Sequence, residues 1–134
     1  DMQNLLNSTD IATLFLDKDL NVRRFTDQVT RIIPMRDADI GRPLSDLVSK
    51  LNYPQLHDDA KETLRTLAFS EKEISTTDGY WFTVRIMPYR TVANVIQGAV
   101  ITFVDITAAK ELESRLRRVQ SLAPQGDGTS TESR

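Results

Sequence analysis

The sequence predicts an α+β domain: a five-stranded antiparallel sheet with short helices on one face, followed by a C-terminal linker helix. Three observations lead there. Five stretches are rich in β-branched and aromatic residues. The helical patterns cluster between the second and third of them, so strands and helices do not alternate as a doubly wound sheet would need. The neighbouring strands are joined by tight-turn signals, which favours antiparallel pairing.

Residues 1–10 read as a lead-in helix whose main apolar residues are Leu5 and Leu6. Ile11-Ala12-Thr13-Leu14-Phe15-Leu16 is the first strand. Asp17-Lys18-Asp19 marks a turn, and Asn21 opens a second strand through Val22-Arg23-Arg24-Phe25. Thr26 or Asp27 is placed to cap a short helix carrying Val29, Ile32 and Ile33, which Pro34 ends. A further short helical piece holds Leu44, Leu47, Val48 and Leu51. Residues 56–68 form the one longer internal helix, with Leu56, Ala60, Leu64 and Leu67 on a single face.

The period then returns to two. Residues 72–77 form a modest strand, and Asp78-Gly79 is a turn pair that favours positive φ. Residues 80–90 form an aromatic strand, and residues 99–105 close the sheet. Residues 108–122 read as a linker helix. Its apolar positions Ala109, Leu112, Leu116, Val119 and Ala123 are spaced three, four, three and four apart, two heptads of a seam. Two heptads do not hold a dimer alone; they suit either the extension of a dimer interface made elsewhere or the start of a longer coil in the parent chain. Residues 123–134 hold no large apolar residue and read as a disordered tail.

Composition narrows the function classes. The 134 residues carry 19 acidic and 17 basic side chains, a formal charge of −2. That balance gives no global attraction to nucleic acid or to anionic membrane. The chain has no cysteine, which excludes disulfides, thiolate metal sites, cysteine nucleophiles and flavin–cysteine photochemistry. No apolar run reaches 18 residues and no leader pattern opens the chain. The expectation is a cytoplasmic segment with no membrane insertion. Because it opens on Asp1, it reads as a piece of a longer protein.

Residues 5–112 resemble a PAS domain. The resemblance rests on the element order, on Asp78-Gly79 leading into Tyr80-Trp81-Phe82, and on Val104-Asp105-Ile106-Thr107. The last is similar to the Asp-Ile-Thr ending of many signalling PAS domains, including those of sensor histidine kinases. Asp39-Ile40-Gly41-Arg42-Pro43-Leu44-Ser45-Asp46 and Arg85-Ile86-Met87-Pro88-Tyr89-Arg90-Thr91 look like PAS segments of bacterial chemotaxis proteins that fuse methylesterase and methyltransferase domains. The resemblance implies a sensor domain over residues 11–107, an output domain in the same parent chain, and a relay through Asp105, Ile106 and Thr107 into the linker helix.

Candidate chemistry is sparse. His57 is the only histidine, and it lies off the apolar face of its helix, so haem ligation is disfavoured. The acids Asp58, Asp59 and Glu62 suit the start of a helix for electrostatic reasons. Phe15, Trp81, Phe82 and Phe103, with Thr83, Arg85 and Thr102, either fill the core or line a small cavity. Tyr89 and Arg90 belong to the same strands. No cofactor is expected; flavin is disfavoured with haem, and an unidentified small ligand stays open. With no converging nucleophile, base or metal set, the segment reads as a non-enzyme. The expected partner is a second copy, a homodimer built by Leu5 and Leu6 with Leu112, Leu116 and Val119. The alternative is a ligand-free structural dimerisation or docking domain.

Overall fold

Strict alternation in the β-rich stretches sets the architecture of the computed structural model, which describes residues 11–91, 93 and 95–122. The strands are β1 (Ile11–Asp17), β2 (Val22–Phe25), β3 (Ser70–Ser75), β4 (Trp81–Arg90) and β5 (Ile96–Asp105). Between β2 and β3 lie three 3-10 turns, Asp27–Arg31, Asp37–Asp39 and Leu44–Asp46, and helix α1 (Leu56–Thr66). Helix α2 (Thr107–Leu122) follows β5. All pairings are antiparallel, in the order β2-β1-β5-β4-β3. The α+β fold with its five-stranded sheet and C-terminal helix is therefore as the sequence predicts.

β1, β4 and most of β5 send every second side chain inward. Ala12, Leu14 and Leu16 of β1, Phe82, Val84 and Ile86 of β4, and Ala99, Ile101 and Phe103 of β5 are buried. They form one cluster with Val29, Ile32 and Ile33, with Leu44 and Leu51, and with Leu56 and Ala60 of α1. The 3-10 turns and α1 thus cover one face only. β1 and β5 approach closely at Gly98, where an added Cβ would stand 1.9 Å from the Leu16 carbonyl oxygen.

Several boundaries differ from the sequence reading, each for a local reason. Thr26 does not cap its turn with its side chain; its hydroxyl accepts the Thr13 N–H at 2.9 Å and ties the turn to β1. The helical piece after Pro43 stops at Asp46, because Leu47 is extended at φ −92°, ψ 140°. Leu51 instead bridges to Thr76, and Val48 is exposed. α1 ends at Thr66, since Leu67 turns left-handed at φ 63°, a conformation usually left to glycine or asparagine. Leu67 is consequently exposed rather than on the packed face. β3 starts earlier, at Ser70, because Ser70 to Ser75 pair continuously with β4. β5 starts at Ile96, where Arg90 pairs with Ile96 past a bulge. The lead-in with Leu5 and Leu6, residue Ala123 and the tail lie outside the described residues.

Candidate functional site

The richest polar contacts to the end of the sheet gather where β5 hands over to α2. Phe82 pairs with Asp105 in the β4–β5 ladder. One step further, the Ile106 N–H donates to the Trp81 carbonyl at 2.9 Å. The Trp81 N–H in turn donates to the Thr107 hydroxyl oxygen at 2.9 Å. The Asp105 carboxylate accepts the Thr107 N–H at 2.9 Å, which satisfies an N–H at the start of α2 that no helical carbonyl reaches. Asp105, Ile106 and Thr107 are therefore brought together, and all three are half-buried.

Two side chains from elsewhere complete the joint. Arg31, at the end of the first 3-10 turn, stands 3.7 Å from the second oxygen of Asp105. This basic partner comes from the covering turn and not from a neighbouring strand. On the other side, Lys110 ion-pairs with Glu73 of β3 at 2.6 Å and lies 4.9 Å from the centre of the Trp81 ring. Its hydrogen bond to Glu73 holds its ammonium above the ordinary lysine range, with Glu113 adding to the effect. The first turn of α2 is thus fastened to β3, β4 and the covering layer at once. From Glu111 to Val119 its side chains are exposed, Leu112, Leu116 and Val119 among them.

The turn before β4 is fixed by the same economy of donors. Gly79 has φ +92°, a value that suits glycine. The Thr76 N–H donates to the Tyr80 carbonyl at 2.8 Å, and the Tyr80 N–H donates to the Thr76 hydroxyl at 2.9 Å. This sets where Trp81 enters the sheet and so where α2 begins.

The seven aromatic and polar residues considered for a cavity do not share a face. Phe82 and Phe103 point inward and are buried. Phe15, Trp81, Thr83, Arg85 and Thr102 lie at the alternate positions of their strands, on the outer face. No single cavity can be lined by both groups. Phe15 packs edge-on against Tyr89, with ring centres 6.0 Å apart, and lies under Arg24 at 4.4 Å. Arg85 pairs with Glu71 across the β3–β4 ladder. Beneath the sheet, Phe103, Leu14, Ile101, Ile86 and Val84 pack together.

The remaining candidates serve local structure. Asp17 accepts the N–H groups of Asp19 and Asn21, each at 2.9 Å, which makes the β1–β2 turn. Asp59 accepts a hydrogen bond from the Tyr53 hydroxyl and pairs with Lys72 at 2.7 Å, linking α1 to β3. His57 borders an open cleft of about 540 Å³ with Leu44, Leu51, Tyr53 and Leu56. Among the described residues no group of three His, Cys, Asp or Glu side chains is arranged to hold a metal ion, and no helix is long and apolar enough to cross a membrane. Arg31, Lys110 and Glu73 are the joint residues that sequence reasoning missed. Their roles depend on contacts between segments far apart in the chain.

Comparison with known proteins follows the same geometry. Residues 2–107 match the family model described as PAS domain. A Rhodobacter capsulatus protein described as an uncharacterized 104.1 kDa protein in the hypE 3′ region is 39% identical over 123 residues, which make up 92% of this chain and 13% of that protein. The chain thus spans a small part of that relative's length. The PAS domain of the histidine kinase ThkA superposes with a TM-score of 0.61 at 18% identity, over 71% of this chain and 98% of that one. VqmA of Vibrio cholerae, described as a dimer, superposes with a TM-score of 0.60 at 16% identity, over 84% of this chain and 54% of its own. At such identities the likeness is one of fold.

Proposed function

The chain belongs to the PAS domain family, and on that premise we propose that it is a sensory relay module rather than an enzyme. A change in packing on the covered face of the sheet passes through Asp105, Ile106 and Thr107 to α2, and from there to an output domain in the parent chain. The sensor portion is residues 11–107 and the linker residues 108–122. One observation carries the reading: the first turn of α2 is bonded to Trp81 and Asp105 while the side chains from Glu111 to Val119 are exposed. A helix held only at its root turns small shifts of that root into larger shifts at its far end.

A homodimer fits this arrangement. Leu112, Leu116 and Val119 form an exposed apolar line on α2, and we propose that they meet the same line of a second copy, with Leu5 and Leu6 adding to the contact. The parent would be a chemotaxis-type or histidine-kinase-type multidomain protein. The second reading, a ligand-free dimerisation or docking domain, is favoured by the dense packing of Phe103 and its neighbours beneath the sheet.

Hydrogen exchange separates the two readings. In the relay reading, Asp105→Asn loosens the root of α2, and amides from 107 to 112 exchange faster while those of β1 and β5 do not. Unchanged exchange along α2 would sink the relay. Leu112→Glu with Leu116→Glu should lower the mass found by sedimentation equilibrium to that of the monomer. A mass unaltered by both changes would remove the seam from the interface.

A further inference from the structure

The ion pairs of Lys and Arg among the described residues differ in how tightly they close. Arg42–Asp39 and Lys72–Asp59 stand at 2.7 Å and Lys110–Glu73 at 2.6 Å, the separation of a charge-assisted hydrogen bond. The two longest are Arg31–Asp105 at 3.7 Å and Lys50–Asp78 at 3.8 Å. The cations of both border the same cavity, of about 210 Å³, lined by Arg31, Lys50, Thr76, Asp78, Tyr80 and Phe82. Guanidinium and ammonium groups carry five and three N–H donors. At these separations neither carboxylate closes a hydrogen bond with its cation, so the notch presents two cations with donor capacity to spare.

We infer that this notch binds a small oxyanion, a carboxylate or phosphate group on a small solute, between Arg31 and Lys50. Its size sets the class, since it falls below the roughly 300 Å³ at which pockets for drug-sized ligands begin. Asp78 acts as the resident counter-charge. The Thr76 hydroxyl is the main influence holding its carboxyl below the usual range, with Lys50 and Arg31 assisting. It therefore remains charged at neutral pH and opposes a second anion, which makes binding weak.

Occupancy has a consequence that rests on the relay reading above. Arg31 also faces Asp105, and its guanidinium lies 5.9 Å from the Tyr80 ring centre. An anion that recruits Arg31 draws it off Asp105 and alters the charge balance at the root of α2. The notch would then be an input placed directly on the joint, without any cavity beneath the sheet.

The test is a titration of the ¹⁵N-labelled chain with inorganic phosphate, then separately with acetate, at constant ionic strength held by chloride. The expected result is saturable shifts at Arg31, Thr76 and Tyr80, and with them at Ile106 and Thr107. Lys50→Ala and Arg31→Ala should each weaken binding by about tenfold, a change of about 1.4 kcal/mol. Asp78→Asn should tighten it, a gain that a misfolded variant cannot mimic. Shifts that do not saturate, or that persist in both alanine variants, would overturn the site. Saturable shifts at the notch with none at Ile106 or Thr107 would uphold the site and overturn its coupling to the joint. Response to phosphate but not acetate would assign the site to phosphate groups, and the converse to carboxylates.

Discussion

The two faces of the one sheet carry different work. The inner face is closed by Leu14, Val84, Ile86, Ile101 and Phe103, each at most 1% exposed. The outer face carries Thr13, Phe15, Thr83, Arg85, Thr102 and Val104, all partly or largely exposed. Neighbours in sequence, such as Thr102 and Phe103, therefore sit in opposite environments. Burial on the inner face supplies stability through excluded apolar surface. The outer face supplies attachment, because Trp81 and Glu73 lie where the first turn of α2 meets the sheet.

The contrast can be broken most directly at one residue pair. Phe103→Ala should cost about 3–5 kcal/mol, the usual penalty for an aromatic cavity in a packed core. Thr102→Ala, one residue away, should change stability by no more than about 0.5 kcal/mol. Urea denaturation of the two variants measures both. Comparable losses would mean that the outer face is also packed, by a partner or by residues outside the described ones.

A smaller effect is expected at the seam between β1 and β5. Gly98→Ala would drive a methyl group into the Leu16 carbonyl oxygen, backbone that yields only if the strands part. Overpacking of this kind costs about 1–3 kcal/mol. Thermal melting should show a lower midpoint, and an unchanged one would mean that β1 and β5 slide apart freely there.

Next in size is the joint. Thr107→Val removes the acceptor of the Trp81 N–H, at about 1–2 kcal/mol for an N–H left without a partner. Thr107→Ser should restore most of it. Exchange at the Trp81 amide reads the bond itself, and protection that survives in the valine variant would show that the hydroxyl is not what holds it.

The same contrast explains what was legible in the sequence. The inner face was readable because period-two alternation is a local signal, as in Ala12, Leu14 and Leu16. The resemblance pointed to Asp105, Ile106 and Thr107, and their bonds to one another and to Trp81 are what the structure adds. Leu67 was misplaced because a left-handed residue at a helix end is usually marked by glycine, and here it is not. The 3-10 turns were blurred because three- to five-residue turns are too short to show a helical period. Arg31 and Lys110 were missed because their partners, Asp105 and Glu73, are distant in sequence. Phe15 and Trp81 were grouped with Phe82 and Phe103 because composition cannot tell which way an aromatic side chain points until register is known.

The least dramatic difference between the faces is in pH response. On the inner side, burial pushes the Asp59 carboxyl up, but hydrogen bonds from Lys72 and Tyr53 together outweigh it and leave the group below its ordinary value. A depressed carboxyl contributes stability above its unfolded value of about 3.9, and loses it as pH falls through the folded one. On the outer side, Lys110 is raised. Its contribution is complete below the unfolded lysine value of about 10.4 and is lost as pH rises through the folded value. The melting temperature should thus be insensitive to these two groups between about pH 5 and 9. Lys72→Met should lower it in that range and flatten the acid limb. Lys110→Met should flatten the alkaline limb and speed amide exchange in the first turn of α2. An alkaline limb and first-turn exchange both unchanged in Lys110→Met would show that this lysine does not anchor the root of α2.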